Sequence, residues 1–243
     1  MKRALVALIV LGSATARAEE LPDIDCVVEG FTADSSLVYV HTFISANDDA
    51  DNQEARILAY DARSTKLKTS VATLRGCTAK RCKGGPPIER AEGLAQRAKL
   101  EAKHTPPQQD TRQLELGDAT GDVASATGLV QRFGTDDDPA VPSLDPDTSS
   151  DLDIRTRVRA RKPLPAPTPR AKASLVVEVV LTVGGTRYTG QATASVLPVE
   201  TSAPAIVWPT FSVTSLALAH DRRAAAVAIA KQQAVIVKLV KAK

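Results

Sequence analysis

Two apolar segments joined by a Gly-Gly pair constrain the fold of this chain more than any other feature. Residues 174–183 and 186–196 are rich in β-branched and apolar side chains, and Gly184-Gly185 separates them. Glycine readily adopts the positive φ that a two-residue hairpin turn requires. The sequence therefore predicts an antiparallel hairpin here.

Residues 24–74 predict further β structure. The pattern favours strands at 24–30, 37–44 and 57–60, and a weaker alternation covers 66–74. Asp34 begins the first turn, where its carboxylate can accept hydrogen bonds from nearby backbone amides. These segments predict one antiparallel sheet.

The C-terminal residues repeat this order of strand, Asp turn and strand. Segments at 213–219, 224–230 and 234–240 surround a turn at Asp221, and Phe31 aligns with Leu218 at a separation of 187 residues. A helix is the alternative for the last 20 residues, because they contain no Gly or Pro. The alternation of Val235, Val237 and Leu239 favours strands.

The first copy, near residues 24–74, resembles the blade repeat of TolB-type β-propellers. The resemblance lies in Phe31-Thr32 before Asp34, a β run, an acidic tip, Tyr60-Asp61 and the following Ser64-Thr65-Lys66. The second copy, near residues 213–240, is weaker. In that family the motif marks a four-stranded blade, and the resemblance implies protein–protein contact. A closed propeller needs about four blades or more, so we expect two blade-like sheets instead.

The middle of the chain differs in character. Pro86-Pro87 precede a predicted amphipathic helix near 88–104, which we expect to lie on a sheet through one apolar face (Ile88, Ala91, Leu94, Ala95, Ala98). Residues 105–153 are polar, and we expect a long flexible loop, with an ordered piece at Leu129, Val130 and Phe133. We therefore expect residues 19–243 to form one mainly β domain of two blade-like antiparallel sheets, for which a sandwich is one packing.

The N-terminus predicts export. Lys2 and Arg3 precede the apolar run 4–11, and Ala16-Arg17-Ala18 fits a cleavage site, so residues 1–18 have the order of a signal peptide. The apolar run is shorter than the roughly 20 residues that span a membrane. We expect a periplasmic or secreted protein that begins at Glu19 and has no membrane span.

The charge balance argues against a nucleic-acid partner. The signal peptide holds three of the 31 basic residues and none of the 28 acidic ones, so the mature chain is balanced. Nucleic-acid binders ordinarily keep a basic surplus. One local exception is the alternation Arg155, Arg157, Arg159 and Arg161, which a strand would place on one face. That face could bind an anionic polymer or surface, or the acidic residues nearby could neutralise it.

The sequence contains no motif that indicates catalysis, a cofactor or a metal. The acidic tip 47–54 and the acidic run 136–153 lack the spacing of an EF-hand loop, and both are interpreted as solvated loops. His41, His104 and His220 lie far from one another along the chain. We expect a non-catalytic protein with a binding or structural role, for which another protein is the partner considered. A small secreted hydrolase, its site assembled from distant residues, is the alternative.

Cys77 and Cys82 are predicted to form a disulfide, because an oxidising compartment favours one across this short Gly-flanked loop. A zinc site would need further ligands. The third cysteine, Cys26, is either a buried apolar residue or a competing thiol. Peptide mapping of the mature protein without reductant should recover Cys77 and Cys82 in one linked fragment. Two free thiols at these positions would contradict the prediction.

Overall fold

The computed structural model describes residues 23–45, 53–76, 87–104, 115–116, 118–124, 128–134, 152–201 and 205–242. Four antiparallel sheets and one helix make up these residues, so the fold is mainly β as predicted. The signal-peptide segment and the pair Cys77 and Cys82 lie outside the described residues, as do most of the acidic tip and of the acidic run.

The first sheet is a four-stranded meander in the order of the chain. It contains strands β1 (Asp23–Phe31), β2 (Leu37–Ser45), β3 (Gln53–Asp61) and β4 (Leu67–Arg75). All four predicted β segments are confirmed.

The helix α1 (Arg90–His104) covers the outer side of this sheet, against β4. The predicted contact face was wrong: Ala91, Ala95 and Ala98 are exposed, and the Leu94 side chain is 60% exposed. Gly93 and Leu100 face the sheet instead. A Cβ on Gly93 would lie 1.7 Å from the Thr73 carbonyl oxygen, so only glycine permits this approach of the helix backbone.

The large sheet has seven strands, six of them in the order β16-β10-β9-β8-β7-β5, while β6 also pairs with β7. Its strands are β5 (Glu115–Leu116), β6 (Thr120–Asp122), β7 (Gly128–Gly134), β8 (Leu152–Ala160), β9 (Ala173–Val183), β10 (Thr186–Val196) and β16 (Val240–Lys241). The Gly-Gly hairpin is confirmed, with φ of 51° at Gly184 and 71° at Gly185. Strand β7 confirms the ordered piece expected around Leu129. Where residues 105–153 are described they also form β5 and β6, and the mobility of the remainder stays a prediction.

The middle sheet contains β13 (Val213–Leu218), β14 (Ala224–Ile229) and β15 (Gln233–Lys238), so the C-terminal residues are strands and not a helix. A short hairpin of β11 (Val199–Glu200) and β12 (Ile206–Val207) precedes it. The middle sheet lies between the other two. On β14, Ala224, Ala226 and Ala228 pack against the first sheet, while the alternate side chains of the strand pack against the large sheet.

The two copies of the strand–Asp turn–strand unit share their backbone geometry at the same 187-residue offset. Ser35 has φ of 56° and Arg222 of 58°. Asp34 accepts a 3.0 Å bond from the Ser36 amide, and Asp221 accepts a 3.0 Å bond from the Arg223 amide. The turns contact each other, because the Asp221 amide donates to Ser35 Oγ at 3.1 Å. The two Asp turns therefore share one backbone geometry.

Enlarging a small side chain between two layers should destabilise the protein. Ala226 is fully buried on the side of β14 that meets the first sheet. Ala226→Leu should lower the free energy of unfolding by about 1–3 kcal/mol, because the added atoms force the sheets apart. Denaturant unfolding measures this change, with Ala91→Leu on the exposed side of α1 as the matched control. An unaffected Ala226→Leu variant would contradict the layered packing.

Candidate functional site: the arginine face of the large sheet

The strands of the large sheet present alternate residues to opposite sides. Ile154, Thr156 and Val158 of β8 are buried toward the middle sheet, as are Leu175 and Val177 of β9. The intervening residues point away from the core. On this side, Arg132 and Arg155 are exposed, and Arg157 and Arg159 are half-buried.

Arginine dominates this outer side. We call it the arginine face and define it by the five strand residues Arg132, Arg155, Arg157, Arg159 and Arg187. Arg161 follows β8 directly and is exposed. The predicted clustering is therefore confirmed for Arg155, Arg157 and Arg159, whereas Arg161 lies just beyond the end of the strand. Arg132 comes from the adjacent strand β7 and Arg187 from β10, two strands away from β8, and only the register of the sheet brings them to the same side.

The register places two arginines opposite each other. Arg132 of β7 pairs with Arg155 of β8. Like charges directly across a strand pair are destabilising, by roughly 0.2–1 kcal/mol. Asp153 lies beside Arg155 and offsets part of this repulsion.

Carboxylates neutralise part of the face. Arg155 Nε lies 3.0 Å from Asp153 Oδ2, and Arg159 Nε lies 3.2 Å from Glu178 Oε1. The register also puts Asp122 on this side, opposite Gly128. The same register places position 115, a glutamate, on this side, opposite Gly134. Five arginines therefore share this side with four acidic positions among the described residues, which leaves a small positive balance.

A second feature, a cleft of about 470 Å³, lies between β10, β15 and the end of β3. Its size is within the range of small-molecule sites, about 300–1,000 Å³. Polar side chains converge there, among them Tyr60, Thr65, Gln191, Thr193 and Lys238. Its described lining contains no Asp, Glu, His or Cys, so Lys238 and Tyr60 are its candidates for general acid–base chemistry. The sequence did not indicate this cleft, because its residues come from three distant strands.

The remaining candidate residues are dispersed. His41 lies in β2, His104 ends α1 and His220 occupies the turn before β14. Cys26 is buried, and this burial raises the pKa of its thiol to about 11. The described part of the chain holds no cluster of three or more His, Cys, Asp or Glu that could bind a metal ion. Nor does any described helix have the length and apolar character of a membrane span.

Comparison with protein-family models, with curated proteins and with solved structures finds no match to this chain. The interpretation of the site therefore depends on its own geometry and charge.

Removing one member of the opposed arginine pair should not destabilise the fold. Arg132→Gln ends the repulsion with Arg155, so the free energy of unfolding at low ionic strength should stay equal or rise by up to about 1 kcal/mol. The gain should fall as salt is added, because salt screens exposed charges. Denaturant titrations at two salt concentrations measure it, with Arg63→Gln in the exposed turn after β3 as control. A loss of stability specific to Arg132→Gln would show that the fold requires this arginine.

Proposed function

We propose that this chain is an exported, non-catalytic protein that binds another macromolecule through the arginine face. The opposed pair Arg132 and Arg155 is the observation that carries the proposal. An anionic partner would convert this unfavourable arrangement into a favourable one, since charge-assisted hydrogen bonds to guanidinium groups are among the stronger polar interactions.

The proposed location of the protein is outside the cytosol. The order of charge, apolar run and small residues over 1–18 supports delivery to the periplasm or the medium. Nucleic acid is not the partner we propose there, in keeping with the balanced charge of the mature chain. The resemblance of the strand repeats to TolB-type blades supports a protein partner.

The hydrolase alternative has weaker support. The cleft beside β15 does bring polar side chains together. Its described lining offers hydroxyl groups and the amine of Lys238, with no carboxylate or histidine, whereas nucleophilic catalysis requires an adjacent base or a lowered pKa. Binding is therefore the function that the described residues support best.

A polyanion assay tests the binding function. Mature protein is titrated with two labelled probes, poly-L-glutamate and dextran sulfate, and fluorescence anisotropy is measured at low and at physiological ionic strength. At least one probe should bind, with an affinity that falls as salt rises. The face variant Arg132→Gln/Arg155→Gln/Arg157→Gln should bind it about tenfold more weakly, a loss of about 1.4 kcal/mol.

The control variant carries the same charge change elsewhere. Arg63, Arg90 and Arg222 are exposed and lie outside the arginine face, so Arg63→Gln/Arg90→Gln/Arg222→Gln should bind like the parent protein. Equal losses in both variants would mean that net charge alone drives binding. Failure of both probes to bind the parent protein would contradict the proposed function.

A further inference from the structure

We infer that the arginine face binds an extended acidic segment of a partner protein, with carboxylates at every second residue. This inference rests on the proposed function and names the chemistry of the partner. It depends on the spacing of the arginines, their chemical type and the other side chains exposed beside them.

The spacing comes from strand geometry. Arg155, Arg157 and Arg159 occupy alternate positions of β8, so their Cα atoms are about 6.6–6.8 Å apart. Arg161 continues the series at the end of the strand. An extended polypeptide repeats its own alternate side chains at the same distance, so carboxylates at every second residue would match successive arginines.

The residue type favours carboxylate recognition. Every basic residue within β7, β8, β9 and β10 is an arginine, although the chain also contains many lysines, one of them Lys241 on the edge strand β16. Guanidinium presents a planar set of N–H donors that matches a carboxylate. A carboxylate oxygen of Asp153 lies 3.0 Å from Nε of Arg155, and one of Glu178 lies 3.2 Å from Nε of Arg159. Their terminal guanidinium nitrogens carry further N–H groups for a partner's carboxylates.

The neighbouring side chains disfavour a lipid surface as the occupant. The described apolar residues on this side of β7 and β9 are short valines: Val130, Val176 and Val180. Interfacial membrane binding normally adds Trp, Phe or Leu side chains that enter the acyl boundary. The arginine face presents none of these among its described residues, so charge complementarity to a polypeptide is the better fit.

Two peptides of equal composition test the register. One alternates Glu and Thr over eight residues, and the other has its four Glu residues first and its four Thr residues last. The alternating peptide should bind the mature protein about five- to tenfold more tightly, since more of its carboxylates reach an arginine at once. The face variant should lose this preference, and the control variant Arg63→Gln/Arg90→Gln/Arg222→Gln should keep it.

The outcomes separate the inference from the proposed function. Equal binding of the two peptides, or binding of dextran sulfate or of anionic phosphatidylglycerol vesicles without either peptide, would overturn the inference and leave a polyanion-binding face. No binding of any probe would overturn both.

One further variant tests whether the chain's own acidic residues compete with the peptide for the arginine face. Asp136→Asn/Asp137→Asn/Asp138→Asn should bind the alternating peptide at least as tightly as the parent protein does. Tighter binding of that peptide by this variant than by the parent protein would identify the acidic run as a competitor for the arginine face. Thermal unfolding of each variant verifies that it is folded before titration.

Discussion

Burial of strand β14 on both sides is the constraint on which the rest of this structure depends. All six of its residues, Ala224–Ile229, are buried. The side toward the first sheet is entirely alanine, while the side toward the large sheet includes Val227 and Ile229. Small side chains on one side allow close contact with the first sheet, and larger ones on the other fill the main core. Three β layers therefore share one central strand.

Polar side chains fix the layers relative to one another at the edges of the middle sheet. Buried Gln131 of β7 accepts a 3.0 Å hydrogen bond from the Val213 amide, and Gln232 bonds both the amide and the carbonyl of Leu197, at 2.8 and 3.0 Å. On the far side of the first sheet, Arg97 of α1 pairs with both carboxylate oxygens of Glu29 at 3.1 Å. These bonds satisfy groups that burial would otherwise leave without partners. The hydrogen bonds of Gln131 and Gln232 join the large sheet to the middle sheet.

Local patterns predicted the strands well, because a two-residue alternation and turn chemistry are properties of neighbouring residues. The Gly-Gly hairpin, the Asp34 and Asp221 turns and the arginine alternation in β8 were all accessible in this way. The pairing of residues that are distant along the chain was not accessible from local patterns. The sequence gives no local sign that Arg132 lies opposite Arg155, that the alanines of β14 separate two sheets, or that distant strands enclose a polar cleft. The contact side of α1 was missed because Gly93, which has no side chain, makes its closest approach.

Native-state hydrogen exchange measured residue by residue tests the layered account most directly. The amides of β14 should exchange last in the protein, through global unfolding alone, because this strand is paired on both edges and covered on both sides. Amides of α1 and of the short strands β5 and β6 should exchange much faster through local opening. Exchange of β14 as fast as that of α1 would contradict the claim that the central strand holds the other layers together.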